Sequence, residues 1–100
     1  MKHRKLFIEL LIFAPYRYDE YNDIIVDDFE VFDNEEDLEE AKENLKAKPE
    51  YDDYAVKRIY VPVEKEEVIV YLDSDESSLK EVYRKEDISA DAKMFKVFKL

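Results

Sequence analysis

Residues 4–13 read RKLFIELLIF. The even positions Leu6, Ile8, Leu10 and Ile12 are all apolar, while the odd ones mix Phe7, Leu11 and Phe13 with Lys5 and Glu9. A two-residue period with apolar side chains on both faces is the pattern of an inner strand, one that needs neighbours on each side. The rest of the chain must therefore supply a sheet. Pro15 is expected to close this strand and Tyr16 to Asp23 to form a polar, aromatic loop. Ile24 to Phe32 reads as a second extended stretch, with a break or bulge at Asp27-Asp28 where the alternation stumbles.

The period then changes. Leu38, Ala41 and Leu45 fall at i, i+3 and i+7, the apolar stripe of a helix running from about Asp33 to Lys48. Asp33 and Asn34 both suit the cap, and Asp33 with Glu36 matches an acidic capping box. Pro49 constrains Lys48 and is expected to end the helix. Acids crowd the first turns and Lys42, Lys46 and Lys48 come late, in accord with the helix dipole. Tyr54 to Val63 and Glu67 to Leu72 predict a β-hairpin around Glu64-Lys65-Glu66, with Pro62 at a strand end or edge. Ser78 with Glu81 forms a capping box for a short second helix carrying Leu79, Val82 and Tyr83. The tail from Met94 to Leu100 admits a helix, through Lys93, Lys96 and Lys99 at spacing three, but its aromatic and β-branched content favours a last strand. The expected fold is α+β: one mixed or mostly antiparallel sheet of about five strands, in the order ββαββαβ, with one acidic amphipathic helix and one short helix. Residues 1–100 are expected to form a single domain.

Composition narrows the chemistry. The chain has 100 residues, of which 46% are hydrophobic, enough for a core without disulfides. Cysteine is absent, which removes disulfides, thiolate nucleophiles and cysteine zinc sites. Glycine is absent too. A P-loop, a dinucleotide fingerprint, a nucleophile elbow and a glycine-turned calcium loop are thereby excluded. Trp, Thr and Gln are missing while Lys, Glu, Asp, Tyr, Ile and Phe abound, a bias that suits an AT-rich gene of a low-GC bacterium or a phage. Lys2, His3, Arg4 and Lys5 before an apolar run imitate a signal peptide, but Ala14-Pro15-Tyr16 is a poor cleavage site. No stretch approaches the roughly 20 apolar residues of a membrane span. A cytoplasmic location is expected.

Candidate chemistries fall away one by one. His3 is the single histidine and lies in the leading basic run, with four serines and no cysteine from which to build a triad. Asp73, Asp75 and Ser77 imitate the start of a calcium loop, but Ser78 stands where glycine is wanted and Arg84 where a bidentate carboxylate is wanted. Asp33, Glu35 and Asp37 fail the same test at Leu38 and Asn44. Glu40-Ala41-Lys42 resembles the tail of a metal-nuclease motif, yet it lies on an acidic helix that would repel nucleic acid. No enzymatic activity, cofactor or specific metal is expected.

The charge map carries the functional expectation. The net charge is −11. Residues 1–18 contribute +3, residues 19–53 contribute −13 and residues 54–100 contribute −1. Nearly all the excess is thus central, at a cost in self-repulsion. A 15-residue helix is about 22 Å long, and duplex DNA carries about 13 charges over that span. The helix offers Asp33, Glu35, Glu36, Asp37, Glu39, Glu40 and Glu43. Asp19, Glu20, Asp23, Asp27, Asp28 and Glu30 complete the count if they share its face. Tyr16, Tyr18 and Tyr21 are candidate anchors, since tyrosine gives large contact area at little entropy cost. A solvated face that keeps the chain soluble, with the tyrosines packed on a sheet edge, is the plainer alternative.

In size and charge alone the chain resembles small acidic inhibitors: phage anti-restriction and anti-CRISPR proteins, uracil-glycosylase inhibitors, and immunity proteins or antitoxins against basic nucleases. The resemblance implies a basic partner, a nucleic-acid-binding protein or nuclease, and transfers no residue role. The chain itself is expected to bind neither nucleic acid nor membrane, as a monomer or homodimer. A structural protein pairing through a sheet edge, and an immunity-type inhibitor that does not imitate DNA, are the competing expectations.

Overall fold

The computed structural model describes residues 6–74 and 78–100. It is an α+β fold of seven strands in two sheets with one α-helix: β1 Phe7–Tyr18, β2 Ile24–Val26, β3 Glu30–Phe32, α1 Glu35–Leu45, β4 Asp53–Pro62, β5 Glu67–Asp73, β6 Ser78–Val82 and β7 Ala92–Lys99. The chain forms two compact units, one of Leu10–Ile59 and one of Tyr60–Leu100 with the described residues before Leu10.

β1 is the inner strand its sequence requires. It pairs with β2, β3 and β4, and Leu10 to Ala14 are buried without interruption. The pairings Tyr16↔Val26 and Phe13↔Glu30 leave two residues of β1 opposite three of the facing chain. β2 and β3 are therefore two halves of one strand broken by an extra residue, the bulge anticipated at Asp27-Asp28. The bulge sends Phe29 fully inside and leaves Asp27 and Asp28 exposed.

Pro15 does not close β1, which runs on to Tyr18. It sits between the stretch paired with β3 and the stretch paired with β2, where the facing chain bulges and takes no ladder hydrogen bond from it. Tyr16 and Tyr18 consequently belong to a strand. The loop shrinks to a tight turn, in which Asp19 Oδ1 accepts from Tyr21 N (2.8 Å) and Asp23 N (2.9 Å) while Asn22 takes a positive φ of 67°.

α1 is capped by Asn34, not Asp33: Asn34 Oδ1 accepts from Asp37 N at 2.8 Å, and its Nδ2 donates to both Asp33 Oδ1 and Asp37 Oδ2 at 2.9 Å. The amide wins the position because it supplies an acceptor to the backbone and a donor to two carboxylates. The helix ends at Leu45, earlier than expected, and the chain tightens through i→i−3 bonds at Lys46, Ala47 and Lys48 before Pro49. Leu38 is 0% exposed and clusters with Leu11 and Phe13, flanked by Phe32, Ala41, Leu45 and Val56. The i, i+3, i+7 stripe is the face that packs on the sheet.

The second sheet has the order β6-β5-β7, antiparallel throughout. Val68 to Asp73 of β5 are all buried, the mark of a central strand. Buried Asp73 receives Lys80 Nζ at 3.2 Å. Two expectations are corrected here. β4 and β5 do not form a hairpin; β4 pairs with β1 in the other sheet, and a 3₁₀ turn at Val63–Lys65 with Glu66 at φ 64° separates the two strands. Ser78 to Val82 is a strand, not a helix, in register with Asp73 to Ile69. A helix of one turn bears the full nucleation cost for little gain, whereas β5 offers the same residues a complete ladder. The C-terminal segment is a strand as preferred, with strictly alternating exposure.

Candidate functional site

The acidic surface of the Leu10–Ile59 unit is built around α1, and the structure divides that helix into two unlike flanks. On one flank the carboxylates are answered. Lys42 Nζ lies 3.1 Å from Glu39 Oε1 and Lys46 Nζ 3.0 Å from Glu43 Oε1. Lys42 also stands over the Tyr54 ring, 5.7 Å from its centroid, and Tyr54 packs on Phe13 at 5.2 Å. The Lys42 ammonium is held above its ordinary pKa, first by the hydrogen bond to Glu39. Asp52, Asp53 and Lys48 border the same hollow, so its charge is mixed. Glu35, at the start of the helix, is met at 2.7 Å by Arg58 Nη1 from β4.

The other flank faces the bulge. A groove of about 310 Å³ lies between α1 and the β2–β3 break. Phe13 and Phe29 are its buried floor, and half-buried Pro15, Phe32, Leu45 and Tyr51 line its sides. Four carboxylates border it, Asp37 and Glu40 from the helix and Asp28 and Glu30 from the strand side, with the Asn44 amide between; Lys48 is the one cation among its described lining residues. Glu40, like Glu36, makes no ion pair or side-chain hydrogen bond among the described residues. One helix thus carries a compensated flank and a net-negative one.

The remaining residues singled out by sequence are scattered around this feature. Asp28 and Glu30 do share a face with the helix acids, through the groove. Asp27 is drawn away to Arg17, whose Nε lies 2.7 Å from Asp27 Oδ2 and whose guanidinium is thereby held above its ordinary pKa. Asp19 is spent on the turn, while Glu20 and Asp23 are exposed there. Tyr16 and Tyr18 stack edge to face at 5.7 Å, and Tyr18 N donates to Asp52 Oδ2 at 2.8 Å. The Tyr16 phenol is raised above its ordinary pKa, first by its hydrogen bond with Tyr18 and then by desolvation and the charge of Asp53. Tyr21 projects from the turn with 78% exposure. The tyrosines therefore divide into a strand-bound pair and one open side chain.

Sequence reasoning did not find Phe32, Asn44, Lys48 and Tyr51 as site residues. Each is unremarkable in its own segment, and only the bulge and the helix ending bring them to one groove. Among the described residues, no group of three or more His, Cys, Asp or Glu side chains could hold a metal ion. No helix there is long and apolar enough to cross a membrane. An α+β protein with an acidic, aromatic-lined groove is what the geometry defines. Comparison with known proteins finds no matching family model, no matching curated protein and no matching solved structure.

Proposed function

We propose that this protein is an inhibitor that occupies the nucleic-acid-binding surface of a basic partner, a nucleic-acid-binding protein or a nuclease. The observation that supports the reading best is the asymmetry of α1. Lysines sit within ion-pair distance of Glu39 and Glu43, yet the groove flank keeps Glu40 unanswered beside Asp28, Glu30 and Asp37. A face selected only for solubility gains nothing from leaving Glu40 unanswered among three further carboxylates, and self-repulsion makes that placement costly. The 11-residue helix is about 16 Å long, a span over which duplex DNA carries about 10 charges. The mechanism is competitive exclusion: the negative field steers encounter, and contacts around the groove hold the complex.

The test is affinity capture of basic proteins from a bacterial lysate on the immobilised chain. Bound protein is challenged with duplex DNA at constant ionic strength. Displacement by DNA is the expected result; a captured nuclease that DNA cannot displace would instead indicate inhibition without mimicry. A gel shift with the chain alone should show no DNA or RNA binding at physiological salt, and a shift would overturn the reading.

The assembly reading has one observation in its favour. β7 ends the order β6-β5-β7 among the described residues, and Phe95 and Val97 on it are 51% and 42% exposed. Concentration-dependent self-association that persists in high salt would support that reading over inhibition.

A further inference from the structure

The groove beside α1 allows the recognised group to be named, an inference that rests on the inhibitor reading. Its lining combines two features that select against most ligands. The sides and floor are aromatic and aliphatic, which disfavours a small hydrated cation. The border is carboxylate-rich, which repels phosphates, nucleotides and acidic peptides. At about 310 Å³ it lies at the small end of ligand pockets. Such a volume suits one long side chain and not a folded segment.

A flat cation on a methylene stem satisfies all three conditions. The guanidinium is weakly hydrated, stacks on aromatic faces and presents a planar fork that matches carboxylate oxygens. An ammonium is compact and strongly hydrated, and loses more on entering an apolar groove. Half-buried Phe32 and Tyr51 offer ring surface, Leu45 offers a surface for the stem, and Glu40 supplies a carboxylate with no partner among the described residues. We propose that the groove receives an arginine side chain of the basic partner, one that in the partner's own work would fork a phosphate.

The probe is a short capped peptide, acetyl-Ala-Arg-Ala-amide, titrated into the isotopically labelled full chain and followed by NMR. Its lysine and citrulline counterparts serve as controls; citrulline keeps the shape and removes the charge. Arginine should shift the amides of Phe32, Ala41, Asn44 and Tyr51, lysine should bind more weakly, and citrulline should leave them unmoved. Glu40→Gln, at an exposed position that can change without disturbing the core, should weaken the arginine peptide about tenfold, as loss of a charge-assisted hydrogen bond implies. Equal binding of citrulline would overturn the proposal, as would arginine shifts confined to the ion-paired flank around Glu39, Glu43 and Asp52. The two readings fail separately. Arginine in the groove with no DNA-displaceable partner removes the competitive-exclusion reading alone. A DNA-displaceable partner whose affinity is indifferent to Glu40→Gln removes the groove proposal alone.

Discussion

Replacing Glu40 with glutamine should make the protein more stable and a worse binder. Glu40 lies mid-helix, past the first turn where a carboxylate gains from the dipole. Its helical neighbours at i−4, i−3 and i+3 are Glu36, Asp37 and Glu43, all acidic, and Asn44 at i+4 is neutral. No lysine or arginine answers it among the described residues. Each like-charge pair at these spacings costs about 0.2–0.5 kcal/mol, so removing three gives a gain of about 1 kcal/mol at low salt. For a domain of this size that is a rise of about 4–8 °C in Tm. The isosteric Glu39→Gln serves as the comparison. It relieves the same number of like-charge pairs, with Glu35, Glu36 and Glu43, but forfeits the 3.1 Å contact with Lys42, so its gain should be smaller. Thermal and urea denaturation followed by circular dichroism, in low and in high salt, measures both variants. Screening should erase the Glu40→Gln gain in high salt. A variant no more stable than the parent at low salt, or one less stable, would refute the reasoning, because it would mean that Glu40 has a favourable partner in the folded state. Stability and binding moving in opposite directions at one residue is the behaviour of a charge kept for recognition at the expense of stability.

Three further outcomes follow from the geometry. Asn34→Ala should cost about 1 kcal/mol in urea denaturation while Asp33→Ala costs much less, because only Asn34 accepts from the backbone of the first turn; equal losses would move the cap. Tyr21→Ala should leave Tm unchanged and, if the turn touches the partner, speed dissociation, whereas Tyr16→Ala and Tyr18→Ala should lower Tm through the lost edge-to-face pair on β1; a thermal loss in Tyr21→Ala would show the turn to be packed. Tyr16 and Lys42 hold their protons more tightly folded than unfolded, so their contribution is complete below the ordinary values of 10.0 and 10.5 and is lost as pH climbs through the raised folded values. The urea midpoint should therefore fall above about pH 10, and Tyr16→Phe should flatten that fall; an unchanged slope would remove Tyr16 from the account.

Local periodicity by itself determined the α+β class, the inner strand, the helix with its buried Leu38 stripe, the break at Asp27-Asp28 and the strand at the C-terminus. Each rests on side chains that repeat within one segment, and burial follows that repeat wherever the segment docks. Sequence also rules out disulfides, thiolate nucleophiles and glycine-dependent loops within these 100 residues, since no fold can restore an absent glycine or cysteine. Tertiary structure alone decided the strand partners. Ser78 to Val82 carries a helix-start signal, but β5 offers it a ladder, and non-local pairing outweighs a local preference worth about 1 kcal/mol. Glu64-Lys65-Glu66 looks like a hairpin turn only if its flanking strands choose each other, and they choose β1 and β6–β7 instead. The candidate site follows the same division. Sequence counted the acids on α1, but which of them are neutralised depends on the helix ending and on Arg58, 23 residues away from Glu35. The groove exists because a one-residue bulge turns Phe29 inward and sets Asp28 and Glu30 beside Asp37 and Glu40. A count of charges is a property of the chain, whereas the field they make is a property of where packing leaves them.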